Sequence, residues 1–360
     1  MKWKLWLLVP AVAAGLAVTF VMMPCVRVKA GEADGYKVLA PIRSGNLTVF
    51  PVVSAHTHDT SEFITLDEGL RSGEVVVAES GSLSPLVRGG RAHVRGGAQV
   101  NQLVLVNNAK RPLILLAGEI VTGGKQDRVI GKDRIVPAES DPIDLSVFCV
   151  EPGRWTGSSE KFVPLGASTM AQPGVRAKAM ANKDQQMVWS EVRRAQSEVA
   201  ELVPAPAASE VQGTSSYARV MQNQAVAGQV ASVAGPIERG YQSVIQQLRD
   251  RNAVGVVVAV NGEIIWADLF ASSSLLEKYW PKLVRSYAAE AVVTRAKGRQ
   301  VEASMAQAFL NDMEGRKETV ESEPGLYRHT EISGEEFKAF ELTSLLPKTG
   351  FEVHVAKMAE

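Results

Sequence analysis

Along residues 46–155 apolar side chains fall in short runs or alternate with polar ones, at 47–53, 75–77, 103–106, 113–116 and 143–150. Gly, Asn, Pro and Asp separate the runs, so the pattern predicts short strands joined by turns. Thr65-Leu66-Asp67-Glu68-Gly69-Leu70 reads as one helical turn between two of them. Residues 174–250 change character. Ala, Gln, Met, Arg and Glu dominate, and Met187, Val188, Val192, Ala195 and Val199 recur at the spacing of one helical face. Two or three helices are expected there, broken by solvated loops at 203–208 and at Gly235-Pro236. Runs at 254–260 and 263–269 flank Asn261-Gly262, a two-residue loop suited to the positive φ angles of a type I′ turn, so they predict a hairpin. Helices at 273–296 and 302–311 and strands at 336–342 and 351–356 complete the expectation.

These elements predict an α+β fold: an N-terminal β-rich, sandwich- or barrel-like unit, a helical middle and a C-terminal hairpin-helix-strand unit. The expected organisation is a leader at 1–30, a linker at 31–44, the β-rich unit at 45–170, the helical segment at 171–252 and the closing α+β unit at 253–360.

One stretch breaks the globular pattern. Lys2 and Lys4 precede residues 5–23, which carry no charge and have no polar face. At about 1.5 Å rise per residue such a run is just long enough to cross a hydrocarbon core. Val28-Lys29-Ala30-Gly31 follows, with small residues placed as a signal peptidase requires. A cleaved signal peptide is the first reading and an uncleaved signal anchor through 5–23 the second. Both place the body outside the cytoplasm, secreted or periplasmic in one case and membrane-anchored in the other. Cys25 follows Met22-Met23-Pro24 rather than a small residue, which argues against lipid attachment.

Charge and composition change the picture in two ways. The chain of 360 residues has 39 basic and 39 acidic side chains, which lacks the excess of cations expected of a nucleic-acid binder. Cleavage after Ala30 would remove four of the 39 bases and no acid, leaving 35 against 39 and a net charge of −4. It would also leave Cys149 as the single cysteine, so the body must rest on its core rather than on a disulfide.

Candidate chemistry is concentrated in two places. Gly118-Glu119-Ile120-Val121-Thr122-Gly123-Gly124-Lys125-Gln126 imitates a phosphate loop, but its lysine is one position late and Gln126 stands where a hydroxyl should bind magnesium. What survives is a tight turn dense in Glu119, Lys125, Gln126, Asp127 and Arg128. The second place is Cys149-Val150-Glu151-Pro152-Gly153-Arg154-Trp155. Arg154 offers a bidentate cation and Trp155 a stacking plane. Cys149 has no histidine at hand to make a thiolate, and a small buried hydrophobe is its plainer role. His56-Thr57-His58-Asp59 resembles the start of a metal set, yet His93, His329 and His354 sit in no ligand-like spacing. Neither a metal nor a cofactor is expected.

The blocks from Gly118 to Val129, Val136-Pro137 and Val147 to Trp155, with Asn261-Gly262, Asp268-Leu269-Phe270 and Trp280 to Ala288, carry a family resemblance. They are similar to the signature of the ARG and rhodanese-phosphatase-superfamily-associated protein domain, from about Gly45 to at least Ala291. The resemblance implies a place beside ADP-ribose or NAD chemistry, through association with ADP-ribosylglycohydrolase and rhodanese-phosphatase components. The apolar front segment sets this chain apart from the usual soluble form of the family.

Three functions follow. In the first, the chain is a binding or accessory module in which Lys125, Gln126, Arg128 and Arg154 hold an anionic, ADP-ribose- or nucleotide-like ligand and Trp155 stacks on it. In the second it is a hydrolase with Glu119 or Glu151 as general base. In the third the charged cluster is a structural ion-pair network in an interaction domain.

Overall fold

The computed structural model describes residues 35–80, 101–154, 159, 161–164, 170–248, 252–295, 299–322 and 325–360. The apolar run at 5–23, His93 and Trp155 lie outside the described residues. Among the described residues no helix is long and apolar enough to cross a membrane.

The fold is α+β. The chain opens with β1 (Tyr36–Val38), β2 (Ile42–Ser44), β3 (Leu47–Ser54), β4 (Ile64–Thr65), α1 (Leu66–Ser72) and β5 (Val75–Glu79). Seven short strands follow: β6 (Gln102–Asn107), β7 (Leu113–Leu115), β8 (Ile120–Thr122), β9 (Arg128–Ile130), β10 (Arg134–Val136), β11 (Ile143–Cys149) and β12 (Val163–Pro164). The helical part holds α2 (Pro173–Ala177), which runs into a π-turn at Lys178–Asn182, then α3 (Gln185–Leu202), α4 (Ala205–Gln212), α5 (Tyr217–Gln222) and α6 (Gln224–Gln247). The last part is β13 (Asn252–Val260), β14 (Glu263–Phe270), α7 (Ser273–Val292), α8 (Ala303–Asn311), β15 (Arg316–Glu321), β16 (Tyr327–Ser333), β17 (Phe337–Ser344) and β18 (Glu352–Ala359).

The largest sheet has nine strands in the order β1-β3-β13-β14-β18-β17-β16-β15, with β2 also on β3. Its centre therefore joins the first strands of the chain to the last: Leu47 lies opposite Val260 and Ser54 opposite Asn252. Both strands are apolar along most of their length because both faces are covered. One face packs Val49, Val256, Val258 and Trp266 under Ile237 and Tyr241 of α6 and Tyr279, Leu283 and Tyr287 of α7. The other packs Phe50, Val52, Val257 and Ala267 under Ala306 and Leu310 of α8. A six-stranded sheet, β12-β8-β9-β11-β6-β5, and a three-stranded one, β10-β7-β4, enclose a second core around Val77, Leu105, Leu113, Val121 and Val147.

Local chemistry explains several elements. Thr65 caps α1 by accepting from the Glu68 amide while the Glu68 carboxylate accepts from the Thr65 amide, a reciprocal capping box. Asn261 and Gly262 take φ of 56° and 78°, as the hairpin turn demands. Pro51 stands inside a central strand. Its carbonyl accepts from the Leu39 amide between β1 and β2, so its missing N–H faces the bend between those two strands rather than β13.

Two expected loops are helical. Pro236 lies within α6 and Pro281 within α7, and the two helices pack side by side with the Tyr241 and Trp280 rings stacked at 4.1 Å. Burial of Ala234, Ile237 and Tyr241 outweighs the hydrogen bond that Pro236 removes. Pro204 ends α3 as expected, but it also caps α4, so 205–208 begin a helix instead of a solvated loop.

Candidate functional site

The turn between β8 and β9 is built for close approach. Gly123 and Gly124 have φ of 128° and 51°, and a Cβ on Gly124 would lie 2.3 Å from the Phe162 ring and 2.6 Å from Glu79 Oε1. Such a turn aims successive amides at one place, the arrangement that cradles phosphates. Here those amides are already occupied by the chain itself. Gly123 N donates to Asp127 Oδ1 at 3.2 Å, Gly124 N to Ser159 Oγ at 3.3 Å and Lys125 N to Glu79 Oε1 at 2.8 Å.

The second motif closes over the first. Asp127 N donates to Glu151 Oε2 at 3.1 Å, Gln126 Nε2 to the Glu151 carbonyl at 3.1 Å and Val150 N to the Asp127 carbonyl at 3.0 Å. Arg154 lies on top, 2.5 Å from Glu151 Oε2 and 3.6 Å from Asp127 Oδ1, and it donates to the Gly124 carbonyl at 3.2 Å. Its side chain is 21% exposed and forms the only solvent edge among Arg128, Glu151, Asp127 and itself; the other three are buried. Arg128 is fully enclosed, 3.9 Å from Glu79. Ser216 of the helical part donates to Asp127 Oδ2 at 2.7 Å. Burial and the neighbouring Glu151 raise the Asp127 carboxyl, against the hydrogen bonds from Ser216 and Gly123. Burial likewise raises the Cys149 thiol, whose Sγ accepts from the Glu151 amide at 3.3 Å. Lys125, Gln126, Arg128, Arg154 and Glu151 are thus brought together.

Glu119 is not among them. It is 1% exposed and belongs to a separate cluster, where Oε2 accepts from the Leu116 amide at 2.8 Å and Oε1 from Lys282 Nζ at 2.6 Å. Lys282 also reaches Asp67 Oδ2 at 3.0 Å and lies 4.9 Å from the Tyr279 ring centre. Burial works to lower the Lys282 ammonium, but Glu119 and Asp67 together overcome it and hold it above the ordinary lysine range. Burial raises Glu119, and Lys282 offsets only part of that.

Helix α7 delivers Lys282 as one of a stripe. Tyr279 donates to the Ile114 carbonyl, Ser286 to the Ala171 carbonyl at 2.6 Å, and Glu290 accepts from the Gly174 amide at 2.8 Å. Positions 279, 282, 286 and 290 share one helical face, so a single helix ties the C-terminal part to three earlier segments.

A third cluster had no counterpart in the sequence reading. Arg176 holds Asp268 through two hydrogen bonds of 2.9 Å, and its guanidinium stacks 4.3 Å above the Trp266 ring centre. His354 Nε2 lies 3.1 Å from the same carboxylate, and Nδ1 lies 2.6 Å from Asp133 Oδ2. Tyr287 donates to Asp268, and the Ala117 amide to Asp133 Oδ1 at 2.6 Å. All four charged side chains are at most 1% exposed. Asp133 and Asp268 overcome the effect of burial and push the imidazole up to about 9, so the chain of charges is neutral as a set. Gly118, at φ 96°, lets Arg176 pass: a Cβ there would meet its Cγ at 2.6 Å. The sequence signal was present in Asp268 and His354, each a titratable group flanked by apolar residues within a strand, since a buried charge needs a partner.

The His56-Thr57-His58 segment is exposed, with the His58 ring stacked on Phe351 at 4.3 Å. Among the described residues no three His, Cys, Asp or Glu side chains group as a metal set.

Residues 35–357 match the model of the ARG and Rhodanese-Phosphatase-superfamily-associated Protein domain, and the chain belongs to that family. No curated protein and no solved structure matches the chain.

Two outcomes are expected of these clusters. Lys282→Met should cost about 3–5 kcal/mol, because Glu119 and Asp67 would lose the buried cation that balances them. The double variant Glu119→Leu, Lys282→Met should recover most of that loss in urea denaturation. For His354, the folded pKa of about 9 exceeds the ordinary 6.5. Its stabilisation is therefore complete below about pH 6.5 and disappears as pH rises through 9, on the order of 3 kcal/mol in all. The difference in unfolding free energy between the natural chain and His354→Gln should shrink over that window; a difference independent of pH would show that the ring is neutral.

Proposed function

We propose that this chain is a non-enzymatic accessory domain, carried outside the cytoplasm by its N-terminal apolar segment, in which the family signature is an internal clamp. The observation that carries this reading is the occupancy of the glycine turn. Its amides and cations already bind Glu79, Asp127, Ser159 and Glu151 of the same chain. An ADP-ribose-like diphosphate at Lys125 and Arg154 would have to displace those carboxylates and then lie against them, a like-charge arrangement that low dielectric makes costly.

The acids fare no better as catalysts. A general base must reach a substrate or water proton within hydrogen-bond distance. Both oxygens of Glu119 are engaged, by the Leu116 amide and Lys282, and Glu151 is buried under Arg154. Clefts of about 410, 160 and 460 Å³ open on the described surface, and none is lined by Glu119 or Glu151. A family described by its association with ARG and rhodanese-phosphatase proteins fits a domain that assists other components.

Two measurements test the reading. The purified protein should turn over none of ADP-ribose, nucleotides or simple phosphoesters, and Glu119→Gln and Glu151→Gln should lower the melting temperature by several degrees. Turnover abolished by both substitutions at an unchanged melting temperature would instead establish a hydrolase. Mass spectrometry of the native N-terminus should find a chain starting at Gly31, or an intact chain confined to the membrane fraction. An intact soluble chain would overturn the export part of the proposal.

A further inference from the structure

Beside the signature, a cleft of about 410 Å³ opens where four distant segments meet: the turn after β9, the end of β11, the π-turn after α2, and strands β15 to β17. Its volume lies at the lower end of the roughly 300–1,000 Å³ typical of small-molecule sites. Phe148, Met180 and Phe340 supply apolar and aromatic surface. At the rim Lys183 and Glu331 neutralise each other at 2.7 Å.

Two polar groups in the cleft are left over. Lys132 is half-buried and makes no hydrogen bond or ion pair among the described residues. His329 is 6% exposed, and its buried Nε2 has no hydrogen-bond partner among them. A buried polar atom without a partner typically costs about 1–3 kcal/mol, which a ligand atom can recover. Burial and the nearby Lys132 lower the imidazole to about 4, so it faces the cleft neutral at ordinary pH. Burial, Arg134 and Lys183 lower the Lys132 ammonium too, the direction that an incoming anion reverses.

Charge balance narrows the ligand. One cation is unpaired, while Glu318 and Glu331 also line the cleft. Glu331 is held by Lys183 and Glu318 by Arg316, so a single negative charge satisfies Lys132, whereas a phosphate dianion would bring a second charge with no unpaired cation of the lining to meet it. We propose that the cleft binds a small molecule carrying one carboxylate on an apolar, ring-bearing body, with Lys132 and His329 taking the two carboxylate oxygens. The body then packs against Phe148, Met180 and Phe340. This site is independent of the clamp, and its existence does not depend on the accessory role.

The test uses the full-length chain, with phenylacetate and indole-3-acetate as probes and phenyl phosphate and benzyl alcohol as controls, followed by ligand-observed NMR and calorimetry. Both carboxylates should bind, with each control at least tenfold weaker. Lys132→Met should weaken the carboxylates about tenfold or more, as loss of one charge-assisted hydrogen bond implies, and Lys132→Arg should restore much of the affinity. Because Lys132 has no partner to strand, its variants should melt with the natural chain. His329→Gln should weaken the probes less, since a neutral donor is lost and replaced. No binding of either carboxylate at millimolar concentration would overturn the proposal. So would affinities unchanged in both Lys132→Met and His329→Gln, or phenyl phosphate binding as tightly as the carboxylates.

Discussion

Everything in this fold is arranged around the need to keep Arg176, Asp268, His354 and Asp133 neutral in a place without water. A lone buried ion is intolerable, so each of the four fixes where the next must stand. Asp133 belongs to the turn between β9 and β10, Arg176 to α2, and Asp268 and His354 to neighbouring strands of the nine-stranded sheet. The set therefore acts as a joint with no adjustable part. The fork of Arg176 sets its angle to Asp268, and the two ring nitrogens of His354 set the spacing between two carboxylates.

The other charged clusters extend that joint rather than compete with it. Gly118 admits Arg176, and the next residue, Glu119, reaches Lys282 on α7. Five positions further along α7, Tyr287 returns to Asp268. Beyond β8 the same stretch of chain supplies the glycine turn and Asp127, which Ser216 links to the helical part. The density of polar residues in this short sequence is thus a set of attachments from one strand pair to the rest of the molecule. The cleft at Lys132 lies one residue from Asp133, so the joint that orders the core also positions the unpaired cation beside it.

How much of this was legible depended on whether the deciding interaction was local. The runs at 47–53 and 103–106 announced strands because apolar residues dominate them where both faces are covered. Asn261-Gly262 announced its hairpin because the turn geometry requires those residue types. The signature residues near Gly124 and Glu151 were found because they are dense in sequence, and their true neighbours proved to be one another. Strand β15 was invisible: Arg-Lys-Glu-Thr-Val-Glu is exposed along its whole length and is a strand only because β16 offers an edge. Pro236 misled for the same reason, since its helix is held by packing against α7 and the sheet. His354 and Asp133 are 221 positions apart, and no periodicity reports a pairing of that range.

The union of β3 with β13 has a further bearing on how the molecule is made. The partner of the third strand is synthesised roughly 200 residues after it, a long-range closure of the kind that slows folding. Until that partner arrives, an eight-residue apolar strand presents an open edge, a template for pairing with other chains. The main sheet can close only once β13, β14 and β18 have all been made, so the order of strands suits a chain that completes its core after synthesis of these strands rather than alongside it.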